Sequence, residues 1–175
     1  MSTLLIINGY AGTGKSSAAK MFAKKNNYAL LSQDIFLFQF NTIKDPNNGL
    51  TKEEHFVAVK NMYDCTLNYM RFSKDIVIEG ALVSISEKDS LDVRDFIRLG
   101  KKLNYKVIVT TFIADDGVRE QREKERNYIV PKHIDQLLRK ATQTIDEKIE
   151  GEIVINTSNL NVDEVVKKLE ELTFG

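Results

Sequence analysis

The sequence predicts an α/β fold in which a five-stranded parallel sheet is covered by helices on both faces. Five short, nearly continuous apolar segments alternate with stretches whose apolar residues recur at helical spacing. Such alternation builds parallel strands, because each right-handed crossover places a helix on one face of the sheet. A chain of 175 residues suits one domain with a full core, so we expect a single domain over residues 1–175.

The individual elements follow from local patterns. The first strand is the run TLLIIN at 3–8, and the helix after it, over 17–25, places Ala18, Met21 and Phe22 on one side. Thr51 and Glu54 have capping-box spacing at the start of a helix that reaches about residue 72. The remaining predictions are strands over 28–32, 75–80, 106–114 and 152–156, helices over 89–103, 131–150 and 162–172, and a loop or short helix over 35–50.

Composition narrows the class of function. Lys and Arg total 25 and so do Asp and Glu, and a net charge of zero argues against a broad surface for nucleic acid or anionic membrane. A local basic groove stays open, so nucleic acid is an alternative partner that we do not favour. No apolar run approaches the roughly 20 residues of a membrane helix. The single cysteine, Cys65, and the lack of a secretory pattern before the first strand lead us to expect a cytoplasmic protein.

The segment GYAGTGKS at residues 9–16, called the phosphate loop below, matches the Walker A pattern G-x-x-x-x-G-K-[ST]. Its glycines allow turns in which successive N–H groups converge on phosphate oxygens at the start of the next helix. We expect Lys15 to reach the β- and γ-phosphates of ATP and the Ser16 hydroxyl to bind Mg²⁺. The predicted nucleotide-binding residues are Gly9, Tyr10, Ala11, Gly12, Thr13, Gly14, Lys15, Ser16 and Ser17. The alternative is a glycine turn that binds nothing.

Acidic residues stand at the carboxyl ends of two further strands. Asp34 follows the second strand and Glu79 lies at the end of the third. Ligands of parallel sheets bind beyond these strand ends, so we expect both acids on the same rim as the phosphate loop. Glu79 could hold Mg²⁺ through water or contact substrate, and a solvated carboxylate is the alternative.

Two further segments follow the phosphate loop and the strand-end acids along the chain. They are the R-x-x-R-x-x-x-R pattern of Arg119, Arg122 and Arg126, and Asn156-Thr157-Ser158 after the last strand. Taken together and in this order, these segments resemble the small P-loop kinases, in the group of polynucleotide 5′-kinase domains, gluconate kinases and chloramphenicol phosphotransferase. The resemblance implies a three-layer α/β/α P-loop NTPase fold with the phosphate-loop strand in the middle. It also implies a substrate region after the second strand and a mobile lid over about 115–130, and it places residues 156–158 near the adenine through backbone contacts.

The resemblance further implies an ATP-dependent kinase. Asp34 would activate the acceptor hydroxyl as general base, and Arg122 and Arg126, ahead of Arg119, would close over the phosphates. The alternatives are a strand-end or cap aspartate and a solvated helix whose arginines pair with neighbouring glutamates. Some polynucleotide kinases carry an arginine after the acid, whereas Ile35 to Phe38 are apolar here, which argues against a phosphorylated acceptor.

The predicted acceptor is a small-molecule or nucleotide-like alcohol. Two other classes stay open. One is a polynucleotide 5′-hydroxyl kinase or a toxin-like kinase of a sugar nucleotide, and the other is a non-catalytic, nucleotide-binding regulatory protein. His55 could line the acceptor pocket, although a lone histidine near a helix start is more often exposed. The alternating Phe36, Phe38 and Phe40 are expected in the core or stacked on the acceptor.

Overall fold

The computed structural model describes residues 1–41, 51–83, 91–125 and 149–175. The strands are β1 (Thr3–Gly9), β2 (Ala29–Ser32), β3 (Ile76–Gly80), β4 (Lys106–Ile113) and β5 (Ile153–Asn156). The helices of the described ranges are α1 (Lys15–Asn26), α2 (Gln33–Asn41), α3 (Lys52–Arg71), α4 (Val93–Lys102), α5 (Asp116–Glu125) and α6 (Val162–Phe174). The strands pair in parallel in the order β2-β3-β1-β4-β5, so β1 is central.

The core consists of two apolar layers, one on each face of the sheet. Side chains alternate across a strand, so Leu4 and Ile6 of β1 enter one layer while Leu5 and Ile7 enter the other. The first layer is closed by α2, α3 and α4, and the second by α1 and α6. The predicted three-layer arrangement is therefore confirmed.

Local sequence signals set most of the element boundaries. Each predicted strand agrees with the structure to within one residue at either end. Thr51 caps α3 as predicted, since its hydroxyl accepts from the Glu54 N–H at 3.2 Å and the Glu54 carboxylate accepts from the Thr51 N–H at 2.8 Å. α1 begins two residues earlier than predicted because the phosphate loop leads directly into it at Gly14.

The segment after β2 differs from the expectation of a loop or short helix over 35–50. α2 begins at Gln33, immediately after β2, and its helical turn separates the alternating phenylalanines. Phe36 is buried in the core, whereas Phe38 is 47% exposed. The helix predicted over 131–150 falls almost entirely outside the described residues, as do residues 42–50.

Within the described ranges, no helix combines the length and the apolar character that crossing a bilayer requires.

Close packing of α4 on the sheet gives a test of the fold. A Cβ atom on Gly100 would lie 2.5 Å from Val107 Cγ2 and 3.2 Å from Leu4 Cδ2, whereas one on Gly117 of α5 would meet nothing within 4 Å. Both substitutions by alanine gain helix propensity, but only Gly100→Ala overpacks the core. We expect Gly100→Ala to be less stable than Gly117→Ala by about 1–3 kcal/mol in urea denaturation. Equal stability of the two variants would contradict this packing, and adding Val107→Ala should recover part of the loss.

Candidate active site

The register of the sheet brings the phosphate loop and both acidic strand ends to one rim. Ile7 of β1 and Ser32 of β2 are both paired with Glu79 of β3, so the three residues form one row across the sheet. The phosphate loop begins two residues beyond Ile7, and Asp34 stands two residues beyond Ser32. The expected gathering of these groups at the carboxyl ends of the strands is therefore present.

The phosphate loop has a backbone that only its glycines accept readily. Gly9, Gly12 and Gly14 have φ values of 142°, 74° and 87°. A Cβ atom on Gly9 would lie 2.4 Å from the Phe112 carbonyl oxygen, so β4 closes over the start of the loop. Gly14 is the N-cap of α1 and provides no side-chain cap, which leaves the first N–H groups of α1 suited to an anion.

Two side chains of the loop fold back onto the same carbonyl group. The Lys15 ammonium donates to the Tyr10 carbonyl at 2.6 Å, and the Thr13 hydroxyl donates to it at 2.8 Å. The Lys15 side chain is largely buried, although removing a charged ammonium group from water costs free energy. Its charge also favours the ionised form of Glu79, so lysine and glutamate share one site.

Glu79 is a buried carboxylate held by two serine hydroxyls. The Ser16 hydroxyl donates to Glu79 Oε2 at 3.2 Å, and the Ser32 hydroxyl donates to Oε1. Burial raises the pKa of Glu79, Lys15 and the two hydroxyls oppose that rise, and the nearby charge of Asp34 adds to it.

The oxygen atoms of Ser16 and Glu79 fit a magnesium site. Hydroxyl and carboxylate oxygens are the ligands that Mg²⁺ prefers, and a cation would offset the cost of the buried charge. Among the described residues no group of three or more His, Cys, Asp or Glu could enclose a metal. One hydroxyl and one carboxylate are enough protein ligands for Mg²⁺, which keeps several waters and takes further ligands from phosphates.

Asp34 is exposed in the first turn of α2 and lies close enough to Glu79 for their charges to interact. The preceding residue, Gln33, is buried, and its amide donates to His55 Nε2 at 3.1 Å. A Cβ atom on Gly80 would lie 2.4 Å from Gln33 Oε1, so this glycine makes room for the amide. The pair of Gln33 and His55 thereby fixes the start of α2 against α3.

His55 is 8% exposed, so of the two readings drawn from the sequence the surface position is wrong, and a place in the acceptor pocket stays a prediction. Burial lowers the pKa of His55 to about 4, so the imidazole is neutral near pH 7. Because Nε2 accepts from the Gln33 amide, the ring proton lies on Nδ1.

The described arginines of α5 contact the phosphate loop, and Arg119 also pairs with an acid of its own helix, its Nη1 donating to Asp116 Oδ1 at 3.1 Å. Arg119 is buried, donates from Nε to the Ala11 carbonyl at 2.9 Å, and stacks on the Tyr10 ring. Arg122 donates to the Gly12 carbonyl at 3.3 Å. From the sequence, Arg119 ranked behind Arg122 and Arg126 as a candidate to close over the phosphates, but Arg119 also lies against the loop. Arg126 lies outside the described residues.

Thr157 belongs to the segment 156–158, which the resemblance places near the adenine, and no role for its side chain follows from the sequence. Thr157 is 2% exposed, and its hydroxyl contacts the Thr13 carbonyl at 2.8 Å and the Arg122 guanidinium at 3.2 Å. Thr157 and Thr13 are 144 residues apart in the chain, and no spacing pattern connects residues so distant. The resemblance implies backbone contacts of residues 156–158 with the adenine, and the structure adds a contact of the Thr157 side chain with the phosphate loop.

Comparison with known proteins agrees with this geometry. Residues 4–149 match the AAA domain family, and no curated protein matches the sequence at a significant level. A sugar kinase from Janibacter sp. HTCC2649 has a TM-score of 0.69 at 13% identity, covering 99% of this chain and 95% of its own. A gluconokinase from Sinorhizobium meliloti 1021 has a TM-score of 0.62 at 14% identity, covering 98% and 90%.

The third comparison is with a nucleotide-bound enzyme. The Mycobacterium tuberculosis APS kinase CysC, solved in complex with AMPPNP and APS, has a TM-score of 0.61 at 13% identity and covers 99% of this chain and 98% of its own. These likenesses extend over essentially the full length of the chain, and they confirm the resemblance to small P-loop kinases at the level of the fold. The chain belongs to the AAA domain family and has the P-loop fold of these kinases.

Proposed function

We propose that this protein is an ATP-dependent kinase that transfers the γ-phosphoryl group to a hydroxyl of a small-molecule or nucleotide-like acceptor. The observation that carries the proposal is the grouping of the phosphate loop, the Ser16–Glu79 pair and Asp34 on one rim of the sheet. A nucleotide site, a metal site and a general base are the three parts that phosphoryl transfer needs in proximity. The fold shared with kinases supports it.

The phosphate loop and Lys15 would bind the nucleotide. The loop N–H groups and the start of α1 would bind the phosphates, and the Lys15 ammonium, which donates to the Tyr10 carbonyl in this structure, would bind the β- and γ-oxygens. Arg122 adjoins the loop, and we propose that its charge acts on the same phosphates, a role that we extend to Arg126 on the basis of its spacing in the sequence. These cations would offset the charge that is spread over the transferred group.

Ser16 and Glu79 would hold Mg²⁺, Ser16 through its hydroxyl and Glu79 directly or through water. When bound, the ion neutralises phosphate charge and orients the β- and γ-phosphates. The protein's part is to keep the Glu79 carboxylate in place, which the Ser16 and Ser32 hydroxyls do.

Asp34 would act on the acceptor. Its carboxylate takes the proton of the acceptor hydroxyl while the new O–P bond forms and ADP departs with the electrons of the broken bond. The helix that presents it, α2, contains no Lys or Arg and exposes Ile35 and Phe38 beside it. This surface suits an uncharged acceptor better than a phosphorylated one.

A panel of acceptors tests the proposal as a whole. Transfer of labelled γ-phosphate to a sugar, antibiotic-like alcohol or nucleoside supports a small-molecule kinase, whereas transfer confined to oligonucleotide 5′-hydroxyls or sugar nucleotides supports the first alternative. ATP binding without transfer or hydrolysis across the panel would instead favour a regulatory nucleotide-binding protein.

Removal of the loop lysine tests the nucleotide site. Lys15→Ala should lower the transfer rate by about a hundredfold or more, because a cation aimed at developing phosphate charge is lost. Lys24→Ala, at an exposed lysine of the same helix, is the control and should leave the rate unchanged. Transfer is followed with γ-labelled ATP after circular dichroism has verified folding. Full activity of Lys15→Ala would overturn the proposed function.

Asp34→Asn tests the general base. We expect kcat to fall by about 10²–10⁴-fold while the Kd for ATP stays within about twofold, because the amide cannot take the proton but contacts no phosphate. Asp163→Asn is matched, since Asp163 is also an exposed acid in the first turn of a helix and shares any effect on the helix dipole. A fall in ATP affinity that matches the fall in kcat would assign Asp34 to nucleotide binding instead.

Glu79→Gln separates the functional and the structural contributions of the buried carboxylate. Glu79 has a raised pKa in the folded protein, so its contribution to stability is present below about pH 4.5 and is lost as pH rises through the folded pKa. Glu79→Gln should therefore gain stability relative to the unaltered protein as pH rises from about 4.5 to 8 in thermal melts.

Glu79→Gln should also need more Mg²⁺ for half-maximal transfer. An unchanged Mg²⁺ requirement would remove Glu79 from the metal site.

A further inference from the structure

Three consecutive carbonyl oxygens of the phosphate loop accept hydrogen bonds from side chains outside the loop. The donors are Arg119 Nε to Ala11 at 2.9 Å, Arg122 Nη1 to Gly12 at 3.3 Å and the Thr157 hydroxyl to Thr13 at 2.8 Å. These donors come from α5 and from the turn between β5 and α6. The carbonyl side of the loop is therefore held by two segments that are remote in sequence.

Holding a carbonyl also fixes the next N–H group. In a planar trans peptide the C=O and the following N–H point in opposite directions, and the described residues contain no cis peptide. The hydrogen bond from Thr157 to the Thr13 carbonyl therefore turns the Gly14 N–H to the opposite side of the loop. Gly14 has a left-handed backbone with φ 87° and no side chain to restrain it, so this peptide needs an external restraint.

The hydrogen bonds of Thr157 allow it to provide that restraint. Its hydroxyl has one proton and lies 2.8 Å from the Thr13 carbonyl and 3.2 Å from the Ile113 carbonyl, so the proton is directed to Thr13. Arg122 donates to the hydroxyl oxygen at 3.2 Å and to the Thr157 carbonyl at 2.9 Å, and a donor charge strengthens the onward bond. The Thr157 N–H donates to Ile113 at 2.9 Å, which anchors the residue to the end of β4.

We propose that Thr157 is a positioning residue for ATP, whose hydroxyl holds the Thr13–Gly14 peptide in the orientation that binds phosphate. At 2% exposure it is closed to the nucleotide, so it acts through the loop. The inference rests on the proposed binding of ATP but does not require that the γ-phosphoryl group be transferred. It also assigns Arg122 a second contact, which links α5 to the loop through Thr157.

The test compares variants that keep or remove the hydroxyl in the full chain. Isothermal titration with ATP and MgCl₂ should give a Kd about tenfold higher for Thr157→Val, which has nearly the same shape, and for Thr157→Ala, which places no methyl beside the carbonyls. Thr157→Ser keeps the hydroxyl and should bind ATP within about twofold of the unaltered protein.

A matched control separates positioning from stability. Thr173 is a buried threonine of α6 whose hydroxyl donates to the Leu169 carbonyl at 2.6 Å, far along the chain from the loop. Thr173→Val should lower the melting temperature as Thr157→Val does but leave the Kd for ATP unchanged. Unaltered Kd in Thr157→Val, or equal weakening by Thr157→Ser, would overturn the inference.

The proposed kinase activity can fail separately. An unaltered protein that binds ATP yet transfers no phosphate refutes the kinase and leaves the comparison of Thr157 variants decisive. An unaltered protein that does not bind ATP refutes both.

Discussion

The site depends on the parallel register that pairs Ile7 and Ser32 with Glu79. Because strands run in the same direction and side chains alternate with a period of two, one register fixes which groups emerge at the rim. A slip of one residue in β3 would turn Glu79 to the opposite face and separate it from the Ser16 hydroxyl. The apolar side chains of β3 oppose such a slip, because Ile76 and Ile78 are packed into one core layer and Val77 into the other. Packing of the core therefore determines where the side chains of the candidate site lie relative to one another.

The buried charges near the phosphate loop stabilise one another only in part. Lys15 and Glu79 are both largely removed from water, and burial still raises the pKa of Glu79 despite the lysine. A cation that binds next to such a buried carboxylate stabilises it. In the same way, an anion stabilises the Lys15 ammonium more than the Tyr10 carbonyl does. If the site binds ATP and Mg²⁺ as proposed, the complex would offset both buried charges.

The phosphate loop is restrained by side chains that bind its carbonyl side. The glycines that let the phosphate loop turn also leave its peptides free to rotate, and freedom of that kind weakens binding by the entropy lost on ordering. Arg119, Arg122 and Thr157 counter it by occupying consecutive carbonyl groups. At the start of α2, Gln33 and His55 provide a similar restraint through a buried hydrogen bond in which the imidazole is neutral.

Local patterns in the amino-acid sequence were enough to predict the α/β class, the five strands to within one residue, the phosphate loop and the two strand-end acids, because hydrophobic period and glycine spacing are local properties. For His55 the sequence favoured the surface over the acceptor pocket, and it assigned no role to the Thr157 side chain. Both features follow from the packing of distant elements, which produces the burial of His55 and the hydrogen bond across 144 residues. Strand order, too, came from the fold, because crossovers of similar length permit several orders.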